Sequence, residues 1–128
     1  MLKERRISET MNRWKEEGLS IPAFNVSSYD AMKAISMASS ELNLPTIIQL
    51  SQKVLLKNKP ILLKNTFDVL KNYYGSDTYL HLDHCQNKEL IKKCIYSGFD
   101  MVMYDGSSFS IEKNIQETKA IVEFAHLN

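Results

Sequence analysis

The chain has 128 residues, with 16 Lys+Arg against 15 Asp+Glu, so there is neither the basic surplus of a nucleic-acid binder nor an acidic block that argues for disorder. Its apolar content of 44% suits a single globular domain over residues 1–128. No apolar run approaches a membrane span, and the charged opening "MLKERRISET" has no apolar signal core, so the chain reads as cytoplasmic, with Cys85 and Cys94 as reduced thiols.

A helix-like opening, "SETMNRWKEEG", stops at Gly18 and leads into a short strand, "IPAFNV" (Ile21–Val26). Ser27 with Asp30 three residues on resembles a capping box, and Ala31, Ala34, Ile35, Ala38 and Leu42 follow at helical spacing. "PTIIQLS" (Pro45–Ser51) is continuous and β-rich, as in a strand buried on both faces. "KPILLKNTFDVLKNYYG" places Pro60 near a helix start and Gly75 just past its end. "TYLHLDH" (Thr78–His84) is the third strand. Asn87 then caps a helix bearing Leu90, Ile91, Cys94 and Ile95 on one face, ended by Gly98. "DMVMYDGS" (Asp100–Ser107) is the fourth strand, and Ser110 caps a last helix with an inner stripe of Ile111, Ile115, Val122 and Ala125.

One helix followed by four strand–helix units implies a parallel α/β sheet, either a small open sheet or part of a (β/α)8 barrel. No glycine-rich nucleotide fingerprint follows any strand. The informative polar residues fall where strands end: Asn25, Ser51, the pair Asp83-His84, then Asp105 and Ser107. Ligands of parallel α/β folds bind at that edge. Taken singly, Asn25 and Asp105-Gly106 suit turns and Ser51 suits a loop. His81 reads as a satisfied interior histidine, and His126 as a last-turn cation on a helix. Asp83-His84 resists a bland reading, because a carboxylate beside an imidazole at a buried rim suits acid–base work or metal ligation.

In order along the chain, "IPAFNV", "PTIIQLS", "HLDHC" and "GFDMVMYDGSS…IEKNIQETKAIVEFAH" resemble the N-terminal half of the class II (metal-dependent) ketose-bisphosphate aldolases. The resemblance implies a TIM (β/α)8 barrel, of which this chain carries about the first four units plus an N-terminal helix. It implies a divalent metal, usually zinc, and reversible aldol cleavage of a ketose 1,6-bisphosphate, by default fructose 1,6-bisphosphate, to dihydroxyacetone phosphate and an aldehyde. It also implies roles for individual residues. His84 is a metal ligand. Asp83 is the acid/base on the C4 hydroxyl. Asn25 and Ser51 line the triose-phosphate end, and Asp105 holds a metal ligand or touches the metal. The expected partners are a phosphorylated sugar and further copies of the chain.

Two departures qualify these expectations. The segment after the second strand, "SQKVLLKNKP", has no glycine, and Lys53 is a candidate for approaching a phosphate. A full barrel needs about 250 residues, so the site is expected to be incomplete and metal binding weak. His81 and His84, three apart on a strand, are expected on opposite faces. Ile47, Leu82 and Met103 are expected to want cover. The alternative reading is a non-catalytic half-barrel module that pairs with itself or another chain.

Overall fold

The computed structural model describes residues 7–128. The elements are α1 (Ile7–Glu16), β1 (Ala23–Asn25), α2 (Tyr29–Leu42), β2 (Thr46–Ser51), α3 (Gln52–Lys57), α4 (Pro60–Tyr74), β3 (Thr78–Cys85), α5 (Lys88–Tyr96), β4 (Met101–Tyr104) and α6 (Ile111–Leu127). The four strands form one sheet in the order β1-β2-β3-β4, with every neighbouring pair parallel. This is four consecutive units of the barrel plan with the barrel left open at β1 and β4.

Local chemistry sets the element boundaries. Asn87 accepts a hydrogen bond from the Leu90 amide and Ser110 one from the Lys113 amide, each satisfying a donor that the first helical turn leaves free. Pro60 opens α4, where its missing N–H costs nothing, and Gly75 closes it at φ 62°. The cap of α2 is Ser28, which accepts from the Ala31 amide, rather than the expected Ser27. The glycine-free segment after β2 coils into α3, an element beyond the four expected helices of the repeat. Ser51 caps it, Leu55 anchors it in the core, and its straight-chain residues favour helix.

The core lies between the helices and one face of the sheet. Ile48, Leu50, Leu80 and Leu82 are at most 1% exposed there, each worth about 1.5–3 kcal/mol of burial. Leu82 thus has full cover, contrary to expectation, and Ile47 is buried, while Met103 is exposed. Both cysteines are buried thiols, and burial pushes the Cys94 thiol up to about 12. No helix among the described residues is long and apolar enough to cross a membrane.

Two helices bury only part of the face their periodicity suggests, Ala31 and Ile35 of α2 packing against the core. In α2 the buried residues are Met32, Ser36 and Ser39, whereas Ala34, Ala38 and Leu42 are exposed. Ser36 donates to the Met32 carbonyl and Ser39 to the Leu44 carbonyl, so these hydroxyls enter the core already satisfied. In α6 only Ile121 is buried, and Ile111 and Ile115 stand 75% and 64% exposed. The rest of each stripe is left at the surface. Beside β1, an apolar groove runs past Pro22, Phe24, Ala38, Leu42 and Leu44. Outside this repeat, α1 meets β3 through a 2.7 Å hydrogen bond between the Thr10 and Tyr79 hydroxyls, and its Trp14 is buried.

Candidate active site

Asn25 ends β1, Ser51 ends β2, Asp83 and His84 lie in the last turn of β3, and Asp105 follows β4. All five stand at the carboxyl edge of the sheet. In-register pairing sets Asn25 opposite Gln49 and Ser51 opposite Asp83. The β3–β4 pairing is interrupted by a bulge between Leu82 and Cys85, and His84 takes a left-handed φ of 47°. A non-glycine residue there costs on the order of 1–2 kcal/mol.

The bulge changes what the side chains can reach. In a regular strand Asp83 and His84 would diverge. Here His84 Nε2 lies 3.8 Å from Asp83 Oδ1 and its Nδ1 lies 3.3 Å from Asp105 Oδ2. The Asn25 amide donates to Asp83 Oδ2 at 3.0 Å, crossing over β2 to do so. Asn25, Asp83, His84 and Asp105 therefore form one polar string across the rim. The expectation that His81 and His84 occupy opposite faces fails at the bulge, because His84 is brought beside Asp83, on the side that Asn25 shares. His81 itself is half-buried, its Nδ1 3.3 Å from the Gln49 amide nitrogen, and burial lowers its pKa. His126 is exposed in the last turn of α6.

Ser51 stands apart from the string. Its hydroxyl accepts from the Val54 amide as the α3 cap. Lys53 is exposed on α3.

Electrostatics sort the two carboxylates. The amide and hydroxyl of Ser107, and then the His84 ring, hold Asp105 below the usual carboxylate range. Asp105 is thus an ionised acceptor facing Nδ1, which orients the imidazole with Nε2 on the Asp83 side. The Asp83 side chain is 17% exposed against 63% for His84. With one oxygen taken by Asn25, Asp83 keeps Oδ1 free to accept or deliver a proton.

A supporting layer escaped the sequence reading. Gln52, the first residue of α3, uses one side-chain oxygen to accept from the Gln86 amide at 3.0 Å, the Asn87 amide at 3.1 Å and the Cys85 thiol at 3.1 Å. It pins the chain as it leaves the bulge, and the Asp105 amide donates to the Cys85 carbonyl at 2.9 Å on the other side. Asn114 of α6 packs against Gly106, beside Asp105. No sequence motif marks Gln52; only its place at a helix start beside a capping serine hints at it.

Among the described residues, no three His, Cys, Asp or Glu side chains converge to hold a metal ion. A catalytic zinc takes three protein ligands and an open position. His84 offers one imidazole, so these residues do not by themselves fit a metal centre.

The family model described as fructose-bisphosphate aldolase class-II matches residues 5–128. The fructose-bisphosphate aldolase of Treponema pallidum (strain Nichols) is 35% identical over 114 residues, covering 85% of this chain and 34% of its own length. The sulfofructosephosphate aldolase of Alkalicoccus urumqiensis is 31% identical over 110 residues, covering 86% and 38%. Among solved structures, a Coccidioides immitis protein assigned as a fructose-1,6-biphosphate aldolase superposes with a TM-score of 0.86 at 27% identity, over 97% of this chain and 48% of that one. The YdjI aldolase from Escherichia coli K12 shares the fold, with a TM-score of 0.84 at 24% identity over 94% and 46%. The chain thus spans 34% to 38% of these curated relatives' length and less than half of the solved chains.

Proposed function

The chain belongs to the class II fructose-bisphosphate aldolase family, and from that membership we propose that it supplies the proton-transfer half of an aldolase-type lyase site acting on a ketose 1,6-bisphosphate. The observation that carries this reading is the string Asn25–Asp83–His84–Asp105 at the carboxyl rim.

Cleavage of the C3–C4 bond requires the C4 hydroxyl to lose its proton as the carbonyl of the departing aldehyde forms. Asp83 is the base for that step and returns the proton in the condensation direction. The Asn25 amide keeps Asp83 Oδ2 occupied, so that Oδ1 does the work. Zinc, bound in a complete site, supplies Lewis-acid polarisation of the ketone oxygen. Of this chain's residues His84 would ligate it, with Asp105 fixing the ring. A catalytic zinc takes two protein ligands besides. Ser51 contributes by capping α3 at the rim, and its approach to the triose phosphate requires a hydroxyl already engaged to turn. Fructose 1,6-bisphosphate is the default substrate, and the described residues alone are read as inactive.

The test uses a protein carrying the whole barrel around these residues. Asp83→Ala keeps bound zinc and lowers kcat by about 10²–10⁴, whereas His84→Ala loses zinc. Unchanged turnover in Asp83→Ala sinks the assignment. The uncovered edges favour a second reading, a half-barrel module that associates through β1 and β4 without catalysis. Association that leaves cleavage absent and zinc unbound would support it.

A further inference from the structure

The bulge that brings Asp83 and His84 together has to be held from outside the ladder. Leu82 pairs with Val102 and Cys85 with Tyr104, so β3 carries one residue more than β4 across this stretch. Such an extra residue is left unpaired and bends its strand. His84 also sits in a left-handed conformation that non-glycine residues resist. Left to itself, the chain would relax toward a regular strand, in which Asp83 and His84 diverge.

Two contacts close on the strand exit. On the β4 side the Asp105 amide donates to the Cys85 carbonyl at 2.9 Å. On the β2 side three donors in succession converge on Gln52 Oε1: the Cys85 thiol at 3.1 Å, the Gln86 amide at 3.0 Å and the Asn87 amide at 3.1 Å. Consecutive main-chain N–H groups aimed at one point form a concavity of the kind that holds anions. Here a neutral side-chain oxygen fills it. Burial raises the Cys85 thiol above its usual range, so it stays protonated and donates. The reach of Gln52 is set in turn by Ser51, which stands opposite Asp83 in the sheet and caps α3. The chain therefore turns into a helix at the residue that would next lie opposite His84.

We propose that Gln52 is a positioning residue for the proton transfer: its side-chain oxygen holds the exit of β3 in the bulged, left-handed path that sets Asp83 beside His84. It acts through Cys85, Gln86 and Asn87. The role belongs to an acceptor at this reach and not to the amide as such. A carboxylate of the same length therefore serves as well, and a side chain of similar bulk without the oxygen does not. The proposal rests on the catalytic reading of Asp83, but the first of its two tests does not.

The first test uses the 128-residue chain itself, by nuclear magnetic resonance. In Gln52→Leu the Gln86 and Asn87 amides should lose protection from hydrogen exchange, and the HN–Hα coupling of His84 should leave its left-handed value. Gln52→Glu should keep both. The second test uses the protein carrying the whole barrel, with fructose 1,6-bisphosphate. Gln52→Leu should lower kcat per folded molecule by about 10–10²-fold, the cost of a small misplacement of a reacting group, with KM little changed. Gln52→Glu should recover most of that loss. Gln52→Asn, whose oxygen falls one methylene short, should behave as Gln52→Leu does, and it replaces the apolar variant if that one does not fold. Loss of folding in both would make Gln52 a purely structural residue and overturn the proposal. So would native coupling and protection in Gln52→Leu, an unchanged kcat in it, or a Gln52→Glu variant as impaired as Gln52→Leu. Normal turnover in Asp83→Ala, with exchange protection still lost in Gln52→Leu, would instead overturn the catalytic reading, and the positioning role with it, while the geometry stands.

Discussion

Gly106 is required for space and not for its backbone angle. A Cβ built there would collide with Asn114 Oδ1, lie 2.6 Å from Asn114 Cγ and 3.1 Å from Tyr104 Cε1. In Gly106→Ala, Asn114 must therefore swing away and give up the hydrogen bond it accepts from Thr118 at 3.0 Å, a loss of about 1 kcal/mol. Residual crowding against Tyr104 adds the cost of an overpacked site, about 1–3 kcal/mol. The sum is about 2–4 kcal/mol, enough to lower a urea midpoint by about 1 M or more at an ordinary slope. The decisive comparison is a cycle with Asn114→Ala, which alone forfeits the Thr118 bond at about 1 kcal/mol. In the double variant the Thr118 bond is lost only once while the crowding against Tyr104 remains, so the two effects should fall short of additivity by about 1 kcal/mol. Additive effects, or a neutral Gly106→Ala, would refute the claim that Asn114 presses on the Asp105–Gly106 turn.

Other outcomes follow from the same geometry. His84→Gly removes a left-handed non-glycine residue whose side chain is 63% exposed, so it should stabilise the fold by about 1 kcal/mol in denaturant titration while abolishing the site; a destabilised variant would show that the string holds the rim together. Burial sets the His81 pKa below its usual value, so the unfolded chain binds that proton first as pH falls. Stability should then decline as pH drops through about 6.5, the ordinary histidine value, and level off below the depressed folded value. His81→Gln should flatten that slope, and an unchanged pH profile would count against it.

Much of this was legible from residue order. Four strand–helix units, the caps at Asn87 and Ser110, and the Pro60–Gly75 bracket of α4 all follow from local rules that act within a few residues. The Asp83-His84 pair could be placed at a strand end for the same reason. What resisted reading depends on neighbours distant in the chain. Periodicity marks an apolar stripe on α2 and on α6 but not which surface the stripe meets, and here much of each stripe stays exposed. Ser36 and Ser39 look polar in sequence, yet each turns its hydroxyl onto nearby backbone and goes inside. The turn at His84 depends on a bulge, and the bulge is held by Gln52 from 32 residues earlier on another element. Ser51 taken singly suits a loop, and only the resemblance gives it a substrate contact; its hydroxyl caps α3 because a helix begins immediately after it.

The Thr10–Tyr79 contact spans 69 residues, and that separation orders events in time. Loop-closure entropy favours pairing β2 with β3 before a segment so remote is recruited. Thr10 has its partner only once β3 is in place. The helix that precedes all four strands in the sequence is thus recruited after them, its Thr10 hydroxyl without its partner until β3 has formed.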